Sequence, residues 1–366
     1  MIDRRLFTNF DWTLLVLVLL ISAIGVVNIY SASASYTLAG APYYIKQFYW
    51  IVAGLLLVVL ACSVDYHLLE DVAYWFYGIL CIVLVAVLLM GKTSMGATRW
   101  LNLGFFSIQP SEPMKVVTIM TLARFLSRYP AVGGFTLRDL AYPFLVVGVP
   151  AILIMKQPDL GTAIVVILIA CSMIAYVGVR ISTLVTCLVA TVPAVYLGWH
   201  YYLRDYQKNR VLNFLNPERD PLGTGYHIIQ SKIAVGSGGV LGKGFTQGTQ
   251  TQLRFLPEQH TDFAFSVFGE EWGFVGCLVL LLLYLFLIFW GLHIAGRCND
   301  RFGSLMAVGV TAMLFWHTII NIGMVIGVFP VVGVPLPLFS YGGTSMITSM
   351  IGVGILLNIS MRRFMF

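Results

Sequence analysis

Residues 12–27 read WTLLVLVLLISAIGVV, a run without any charge that forms the core of a membrane-spanning helix. Similar runs recur along the 366-residue chain, which is 59% hydrophobic and only 10% charged. Soluble domains carry about 25% charged residues, so the composition excludes a soluble enzyme, a disordered chain and a disulfide-stapled domain. Long unbroken apolar runs also disfavour a β-barrel, whose strands alternate apolar and polar residues. The sequence predicts an all-α, polytopic membrane protein.

We predict about ten membrane-spanning helices, because backbone groups inside hydrocarbon must form their hydrogen bonds within their own segment. Their approximate ranges are 11–30, 45–63, 72–90, 111–127, 139–156, 160–178, 182–201, 263–291, 304–328 and 343–361. Most connections are short, but residues 202–261 form one long loop between the seventh and eighth spans. We treat residues 1–366 as a single membrane domain that includes this loop.

Basic residues in short loops predict the orientation, since they accumulate on the cytoplasmic side. The other side offers only Lys46, Lys92, Arg99 and Lys156 in its short loops. The richer side carries Arg4, Arg5, Arg124, Arg128, Arg138, Arg180, Arg297, Arg301, Arg362 and Arg363. We therefore expect a multi-pass membrane protein with both termini cytoplasmic and the long loop outside. The net charge of +6 is too small for a nucleic-acid binder.

Asp262 stands where the long loop enters the eighth span, after Leu256-Pro257-Glu258-Gln259-His260-Thr261. An ionisable group at membrane depth is costly and is usually functional. Two interpretations of Asp262 stay open, a helix-capping acid and a general base at the outer membrane surface. The two are compatible, because a capping side chain is already held in place and partly desolvated.

Other acidic residues beside apolar segments are weaker candidates. Glu112 and Lys115 share a helical face, which predicts either a local ion pair or a polar patch in which Lys115 faces an anionic ligand. Asp159 opens the sixth span, where an acidic side chain is expected to cap the helix. Glu270 and Glu271 point about 100° apart on the eighth span, so one can face a cavity and the other an interface.

The long loop is rich in basic residues and glycine. Bare amides in 236–244, beside Lys243, can cradle phosphate oxygens, although the stretch matches no strict phosphate-binding motif. A flexible surface loop is the alternative. The Gly/Pro-rich stretch 329–343 is expected to wall a cleft, because non-helical backbone at membrane depth needs cover. His227 and His260 show no metal-ligand spacing, and His317 is expected to be a packed, hydrogen-bonded core residue.

Several motifs together resemble the SEDS family (shape, elongation, division and sporulation proteins) over nearly the whole chain. Clear matches are GATRWL at 96–101, QPSE at 109–112 and QPDLGT at 157–162, followed by PLP at 335–337 and SYGG at 340–343 near the end. The strongest match is the block that runs from DPLG at 220–223 through QSKIA at 230–234, GSGG at 236–239 and LPE at 256–258 to HTDF at 260–263. The GKG at 242–244, followed by GTQ at 248–250, favours the elongation branch of the family over its division paralogue.

The resemblance implies a peptidoglycan glycosyltransferase that polymerises lipid II at the outer face of the cytoplasmic membrane and releases undecaprenyl pyrophosphate. It also implies a class B penicillin-binding transpeptidase and other elongation proteins as partners. In this family the aspartate of the His-Thr-Asp motif is the essential catalytic candidate, and it falls on Asp262. A division or sporulation paralogue, a lipid II flippase and a non-catalytic scaffold remain alternatives.

Glycosyl transfer from a pyrophosphate donor needs one base and good cationic stabilisation, because pyrophosphate leaves as a stable anion. We hypothesise that Asp262 takes the proton from the acceptor's sugar 4-hydroxyl. A divalent cation, Mg²⁺ or Mn²⁺, is a candidate for neutralising the leaving group. The candidate substrate-binding residues are Arg99, Glu112, Lys115, Asp159, Arg210, Lys232, Lys243, Glu258, His260 and Ser340.

Overall fold

A computed structural model describes residues 9–33, 42–94, 97–102, 107–129, 133–203, 205–220, 223–256 and 258–363. Within these ranges ten long helices coincide with the ten predicted spans. They are α1 (Trp12–Ser33), α2 (Tyr43–Ser63), α3 (His67–Met90), α4 (Ser111–Arg128), α5 (Ala141–Lys156), α6 (Leu160–Val177), α7 (Ile181–Leu197), α11 (Ala264–Arg297), α12 (Arg301–Val325) and α13 (Gly343–Arg362). Eight of the helices in the described ranges are long and apolar enough to cross a membrane. The predicted all-α membrane fold is confirmed.

Two of the ten helices are less typical of membrane spans. Helix α5 is apolar but has only 16 residues. Helix α4 carries Glu112 and Lys115 near its start and Arg124 and Arg128 near its end, which lowers its mean hydropathy. Both charged residues near its start are buried inside the bundle, so α4 is a helix surrounded by protein rather than by lipid.

The segment predicted as one long loop contains three further helices. The structure describes 202–261 apart from 204, 221–222 and 257, and it shows α8 (Asp205–Leu215), α9 (Thr224–Ser237) and α10 (Thr249–Gln252). A π-helical turn at Gly198–Tyr202 extends α7, and a 3-10 turn spans Pro217–Arg219. These helices are short or polar, so the search for long apolar runs did not find them.

A small antiparallel sheet stands between α3 and α4, where the sequence gave no strand signal. It consists of β1 (Lys92–Ser94), β2 (Ala97–Asn102) and β3 (Ser107–Ile108), with β2 in the middle. Gly96, which belongs to the first quoted family motif, lies outside the described residues, and so do Arg4 and Arg5. The sheet matters for function because β2 carries Arg99.

Helix α12 is the centre of the bundle, and 83% of its membrane-spanning window is buried. It packs against α11, α6 and α4, while α13 packs mainly on α2. Helix α7 is the opposite case, since only 6% of its window is buried. Successive spans alternate in direction, so the start of α4, the start of α6, the start of α11 and the end of α12 all lie at one end of the bundle. That end holds the candidate site.

Helix α11 is 34 residues long, far more than the roughly 20 needed to cross hydrocarbon. It is interrupted at Gly273, whose φ of +63° and ψ of −162° are not helical. The turns of α11 before Gly273 are buried against the segment 236–252, and backbone hydrogen bonds join this segment to α11. Lys243 N donates to the Glu270 carbonyl (3.0 Å) and Gly244 N to the Glu271 carbonyl (3.1 Å), while Phe274 N donates to the Gly239 carbonyl (2.9 Å).

Candidate active site

A cavity of about 830 Å³ opens at the end of the bundle that carries Asp262. Four separate parts of the chain wall it, namely α2, the β-sheet with the start of α4, the segment before α11, and the segment between α12 and α13. We call it the Asp262 cavity. Its lining includes Lys46, Tyr49, Trp50, Arg99, Trp100, Gln109, Glu112, Glu258, Thr261, Asp262, Gly333, Pro335, Tyr341, Gly343 and Thr344. The Gly/Pro-rich stretch 329–343 therefore walls a cleft, as the sequence predicted.

Asp262 lies two residues before α11, and its carboxylate does not cap that helix. Phe263 occupies the N-cap position, and no side chain makes a capping hydrogen bond there. The Asp262 backbone is fixed from α12, because Asn321 Nδ2 donates to the Asp262 carbonyl (2.9 Å) and to the Val334 carbonyl (2.7 Å). Of the two interpretations left open, the geometry therefore favours a carboxylate that is free to act in the cavity.

The carboxylate of Asp262 fits beside a glycine. Gly333 has a φ of +71°, and a Cβ added there would lie 3.2 Å from Asp262 Oδ2. Only glycine adopts that backbone conformation without strain. A side chain at position 333 would therefore both strain the segment and press on the carboxylate.

The surroundings of Asp262 raise its pKa from the ordinary aspartate value to about 6. Desolvation by the cavity walls is the largest cause, and the negative charge of Glu258 adds to it. The positive charges of Arg99 and Arg210 act in the opposite direction and favour the carboxylate. At neutral pH the group is therefore mostly ionised and can accept a proton, with a basicity closer to neutrality than an exposed aspartate has.

Arg99 reaches the cavity from β2 and is oriented by the start of α6. Its guanidinium donates to the Pro158 carbonyl and lies 3.8 Å from Asp159 Oδ1. Asp159 caps α6 as predicted, accepting from Thr162 N (3.4 Å) and Thr162 Oγ1 (2.9 Å). It also accepts from Gln109 Nε2 (2.9 Å), which ties together the two similar motifs at 109–112 and 157–159.

Glu112 lines the cavity, whereas Lys115 lies behind it. The predicted ion pair is present, with Lys115 Nζ 2.8 Å from Glu112 Oε1, and Lys115 is only 1% exposed. Lys115 is not among the residues that line the cavity. In the structure Lys115 Nζ contacts Glu112 and His317.

Glu258, His260 and Ser340 shape the same end of the bundle in different ways. Glu258 lines the cavity and accepts from Thr261 Oγ1 (3.3 Å to Oε2). The ring of His260 stacks on Tyr43 with centroids 4.2 Å apart. Burial lowers the pKa of His260 despite the opposing charge of Glu258, so His260 is neutral at pH 7. Ser340 Oγ accepts from Leu336 N (3.1 Å) and braces the wall from behind.

The three basic residues predicted in the long loop have separate environments. Arg210 is close enough for its charge to lower the pKa of Asp262. Lys243 Nζ is bonded to Glu270 Oε1 (2.7 Å) and to Thr249 Oγ1 (2.8 Å). Lys232 is exposed on α9, and its stem lies against Gly327. Neither lysine is among the residues lining the Asp262 cavity.

The glycines of 236–244 allow close backbone packing against α11. A Cβ on Gly242 would lie 2.0 Å from the Glu271 carbonyl, and one on Gly238 would lie 2.1 Å from the Gly269 carbonyl. The amides of Lys243 and Gly244 already donate to carbonyls of α11. The stretch is therefore neither a phosphate cradle nor a loose surface loop, because its amides are used for docking.

Glu270 and Glu271 hold this docked segment and do not line the cavity. Glu270 is fully buried and accepts from Lys243, from Gln250 N (3.0 Å) and from Thr251 N (3.2 Å). Glu271 accepts from the Ser31 hydroxyl of α1. The expectation that one of them faces a cavity is wrong, since the first turns of α11 are enclosed by protein.

Sequence reasoning missed one residue that lines the cavity and two buried amides that hold its walls. Lys46 was counted only as an orientation signal, although it lines the cavity and lies over the Tyr43 ring at 5.7 Å. Asn321 and Gln47 are neutral amides inside spans, and Gln47 Nε2 donates to the Ser340 carbonyl (3.1 Å). A search for buried polar residues of any charge, rather than for ionisable ones, is the signal that finds them.

A dedicated metal site is not formed by the described residues. Across the described ranges no group of three or more His, Cys, Asp or Glu side chains converges. Glu112 is neutralised by Lys115, and Asp159 by the α6 terminus and Arg99. The donor set fits a divalent cation only if most of its ligands come from water and a substrate's phosphates.

A comparison with models of known protein families identifies the family of the chain. A family model described as "Cell cycle protein", which covers the FtsW, RodA and SpoVE proteins, matches residues 11–364. The chain belongs to the FtsW/RodA/SpoVE family. This membership confirms the SEDS resemblance of the motifs quoted above, and the family model spans both the Asp262 cavity and the segment 236–252 that packs on α11.

Relatives within the FtsW/RodA/SpoVE family match over most of their length. The peptidoglycan glycosyltransferase MrdB of Escherichia coli strain K12 is 45% identical over 315 residues, which cover 86% of this chain and 85% of that protein. The peptidoglycan glycosyltransferase RodA of Treponema pallidum is 34% identical, covering 97% of this chain and 98% of that protein.

Solved structures of the family share the fold. A chain from a peptidoglycan synthase complex, described as coordinating polymerization and crosslinking, aligns with a TM-score of 0.83 at 35% identity, covering 98% of this chain and 99% of that one. The rod shape determining protein RodA of Thermus thermophilus aligns with a TM-score of 0.72 at 31% identity, covering 97% and 98%.

Proposed function

We propose that this protein is a peptidoglycan glycosyltransferase that polymerises lipid II during cell elongation, with Asp262 as its general base. The observation that carries the proposal is a carboxylate of raised pKa on a cavity that it shares with Arg99 and Lys46. The names of the MrdB and RodA relatives support the reaction class. The GKG and GTQ motifs support the elongation branch.

The reaction needs one proton acceptor. Asp262 takes the proton from the 4-hydroxyl of the acceptor lipid II as that oxygen bonds to the anomeric carbon of the donor. The bond from the anomeric carbon to pyrophosphate breaks with its electron pair, the configuration at that carbon inverts, and undecaprenyl pyrophosphate leaves. The proton then passes from Asp262 to water. Each turnover lengthens the glycan by one disaccharide.

Positive charge for the leaving pyrophosphate comes from Arg99 and Lys46, with Arg210 nearby. Asp159 and the Pro158 carbonyl hold the Arg99 guanidinium at the cavity wall. Fixed cations of this kind stabilise charge that develops in the transition state. The rings of Trp50, Trp100 and Tyr341 line the same cavity and offer flat apolar surfaces to the sugar rings.

A divalent cation is proposed to arrive with the substrate. Mg²⁺ and Mn²⁺ bind pyrophosphate, and the donor set of the cavity fits an ion that is already coordinated by the substrate better than one held by the protein. No step above depends on it. Excess chelator is expected to lower the rate of the purified protein, and an unchanged rate would remove the cation from the proposal.

The orientation and partners follow from the same proposal. The Asp262 end of the bundle faces outward, both termini are cytoplasmic, and the chain is a single domain of the cytoplasmic membrane. The short-loop arginines support this orientation. The match to a chain of a complex that coordinates polymerization and crosslinking supports a class B penicillin-binding transpeptidase as the partner, together with other elongation proteins.

The test is a gel of the products that purified full-length protein and its transpeptidase partner make from lipid II. Long glycan strands are expected from the wild type and none from Asp262→Asn. Asp71→Asn, an exposed aspartate at the opposite end of the bundle, is the matched control and should retain activity. Lipid II that is relocated but chemically unchanged would point to a flippase instead.

A further inference from the structure

A buried chain of three side chains joins two walls of the Asp262 cavity. Lys115 Nζ lies 2.8 Å from Glu112 Oε1 and 2.7 Å from His317 Nε2, and His317 Nδ1 lies 3.4 Å from the Pro335 carbonyl. All three side chains are almost completely buried. Glu112 and Pro335 line the cavity from different parts of the chain.

The hydrogen bonds of this chain define the state of the imidazole. A lysine ammonium has donors only, so His317 Nε2 must accept from Lys115. The ring proton is then on Nδ1, where it faces the Pro335 carbonyl. A doubly protonated imidazole would place a second positive charge 2.7 Å from the ammonium in a dry site, which is strongly unfavourable. His317 is therefore a neutral imidazole of fixed tautomer.

His317 shares its helix face with a residue that already holds the site. Asn321 is four residues further along α12, hence on the same face one turn away, and it donates to the carbonyls of Asp262 and Val334. Consecutive turns of α12 thus grip neighbouring carbonyls, Val334 by Asn321 and Pro335 by His317. The same two side chains reach Asp262 on one side and Lys115 on the other.

We propose that His317 is a positioning residue for glycosyl transfer, which sets Glu112, through Lys115, at a fixed place opposite Asp262 and the Pro335 wall. The inference rests on the proposed function, since it assigns a role to His317 in that reaction. Removing the imidazole leaves Lys115 with one partner fewer, so the ammonium and Glu112 shift with respect to Asp262. A misplacement of about 1 Å in a residue that lines the substrate cavity can cost up to about 100-fold in rate.

The kinetic test compares His317→Leu with His317→Gln and Thr318→Val, measuring glycan synthesis by the full-length protein with its partner. Leucine is expected to lower kcat by roughly 10- to 100-fold with a smaller change in KM. Glutamine has an oxygen for Lys115 and an amide for Pro335, so it should recover most of the loss. Thr318 is a buried neighbour whose hydroxyl, among the described residues, donates to the Leu314 carbonyl of its own helix, and Thr318→Val should stay within about twofold.

Two further measurements separate positioning from a loss of folded protein. Rates are expressed per folded molecule, from size-exclusion and thermal unfolding of each variant. On a Lys115→Met background, His317→Leu should cause little additional loss of rate. Residues that share one hydrogen-bond network do not act additively. Equal rates for leucine and glutamine variants, or full additivity with Lys115→Met, would overturn the proposal. A wild type that makes no glycan would instead overturn the proposed function.

A readout independent of activity is the nitrogen NMR spectrum of the imidazole rings, recorded on protein in which histidine carries a nitrogen isotope label. The signal lost in His317→Leu should be that of a neutral ring protonated on Nδ1 at pH 7. A cationic ring, or one protonated on Nε2, contradicts the assignment even if activity falls.

Discussion

Asp262 and Glu270 are acidic residues eight positions apart at the same end of the bundle, yet their environments are opposite. Among the described residues, Glu270 accepts five hydrogen bonds, from Lys243, Thr249, Gln250 and two groups of Thr251. The carboxylate of Asp262 accepts none from the described part of the chain, and its pKa is raised mainly by desolvation and adjusted by charges at a distance. A carboxylate whose oxygens are fully used holds structure, whereas one held by its backbone and left open to a cavity can do chemistry.

The same difference divides the residues around the start of α11 into two groups. The first turns of α11 serve as an anchor through Glu270 and Glu271, whereas Asp262, just before them, is the proposed general base. The anchor is made of short polar contacts and glycine-backbone contacts, so substitutions there should alter folding. The cavity is made of charges and open space, so substitutions there should alter rates.

Asp262→Asn gives the largest expected effect and tests the reactive half of the comparison. General bases typically contribute 10²–10⁴ in rate, so kcat should fall by that factor. At neutral pH the thermal unfolding midpoint should not fall below that of the wild type, because no described hydrogen bond to the carboxylate is lost and a desolvated charge is removed. Initial rates and an unfolding curve on the same preparation decide it, and a collapse in stability would make Asp262 an anchor like Glu270.

Glu270→Gln tests the structural half. The amide cannot accept all the bonds that Glu270 accepts and leaves Lys243 without its ion pair, so unfolding should become easier by about 1–3 kcal/mol. Activity per folded molecule should change by less than about threefold. Thermal unfolding together with single-turnover rates is the measurement. A loss of rate as large as that of Asp262→Asn would place Glu270 in the reaction.

Gly242→Ala and Gly236→Ala form a matched pair within the docked segment. Gly242 has a φ of +83° and lies against the Glu271 carbonyl, while a Cβ on Gly236 would meet nothing within 4 Å. Gly242→Ala should destabilise the protein by about 1–3 kcal/mol. Gly236→Ala, which lies within α9, should be neutral or slightly stabilising. Equal unfolding midpoints for the two variants would show that the docking is loose.

The pH dependence gives the finest test. In the proposed mechanism the ionised form of Asp262 is the active one, so kcat/KM should fall about tenfold per unit below pH 6 and level off above it. Because Glu258 raises this pKa and Arg99 lowers it, Glu258→Gln should move the acid limb to lower pH and Arg99→Gln should move it to higher pH. A limb that moves in the same direction in both variants would contradict the assignment.

The same shift acts on stability in the opposite sense. The folded-state pKa of Asp262 lies above its unfolded value, so its protonated form favours the fold. That contribution is fully present below about pH 4 and is lost as the pH rises through about 6. Asp262→Asn should remove this part of the pH dependence of unfolding.

Much of the architecture could be predicted because membrane burial leaves a direct trace in sequence. Runs such as 12–27 can be satisfied only as helices in hydrocarbon, and the ten predicted ranges coincide with ten helices of the described chain. The β-sheet that carries Arg99 gave no such trace, since its strands are short. The helices of 202–261 were missed for a related reason, because α8 and α10 are too short or too polar to show an apolar period.

The site was predictable one residue at a time but not as an arrangement. Asp262 stands out as an acid beside an apolar run, and Asp159 as a helix-opening acid. The partner of Lys115 on α12 is 202 residues away, and local spacing carries no information about such a contact. For the same reason the sequence did not reveal that Lys243 forms an ion pair with Glu270, which lies on another element.

The docked outer segment has a consequence for how such proteins can be altered. At Gly238, Gly242 and Gly273 the backbone of the segment lies directly against the backbone of α11, with no room for a side chain. The segment therefore has no hydrophobic core of its own and depends on packing against α11. It cannot be exchanged between relatives as an independent cassette. A functional chimera must carry residues 236–252 together with the first turns of α11, and sequence changes in either piece should be inherited as a pair.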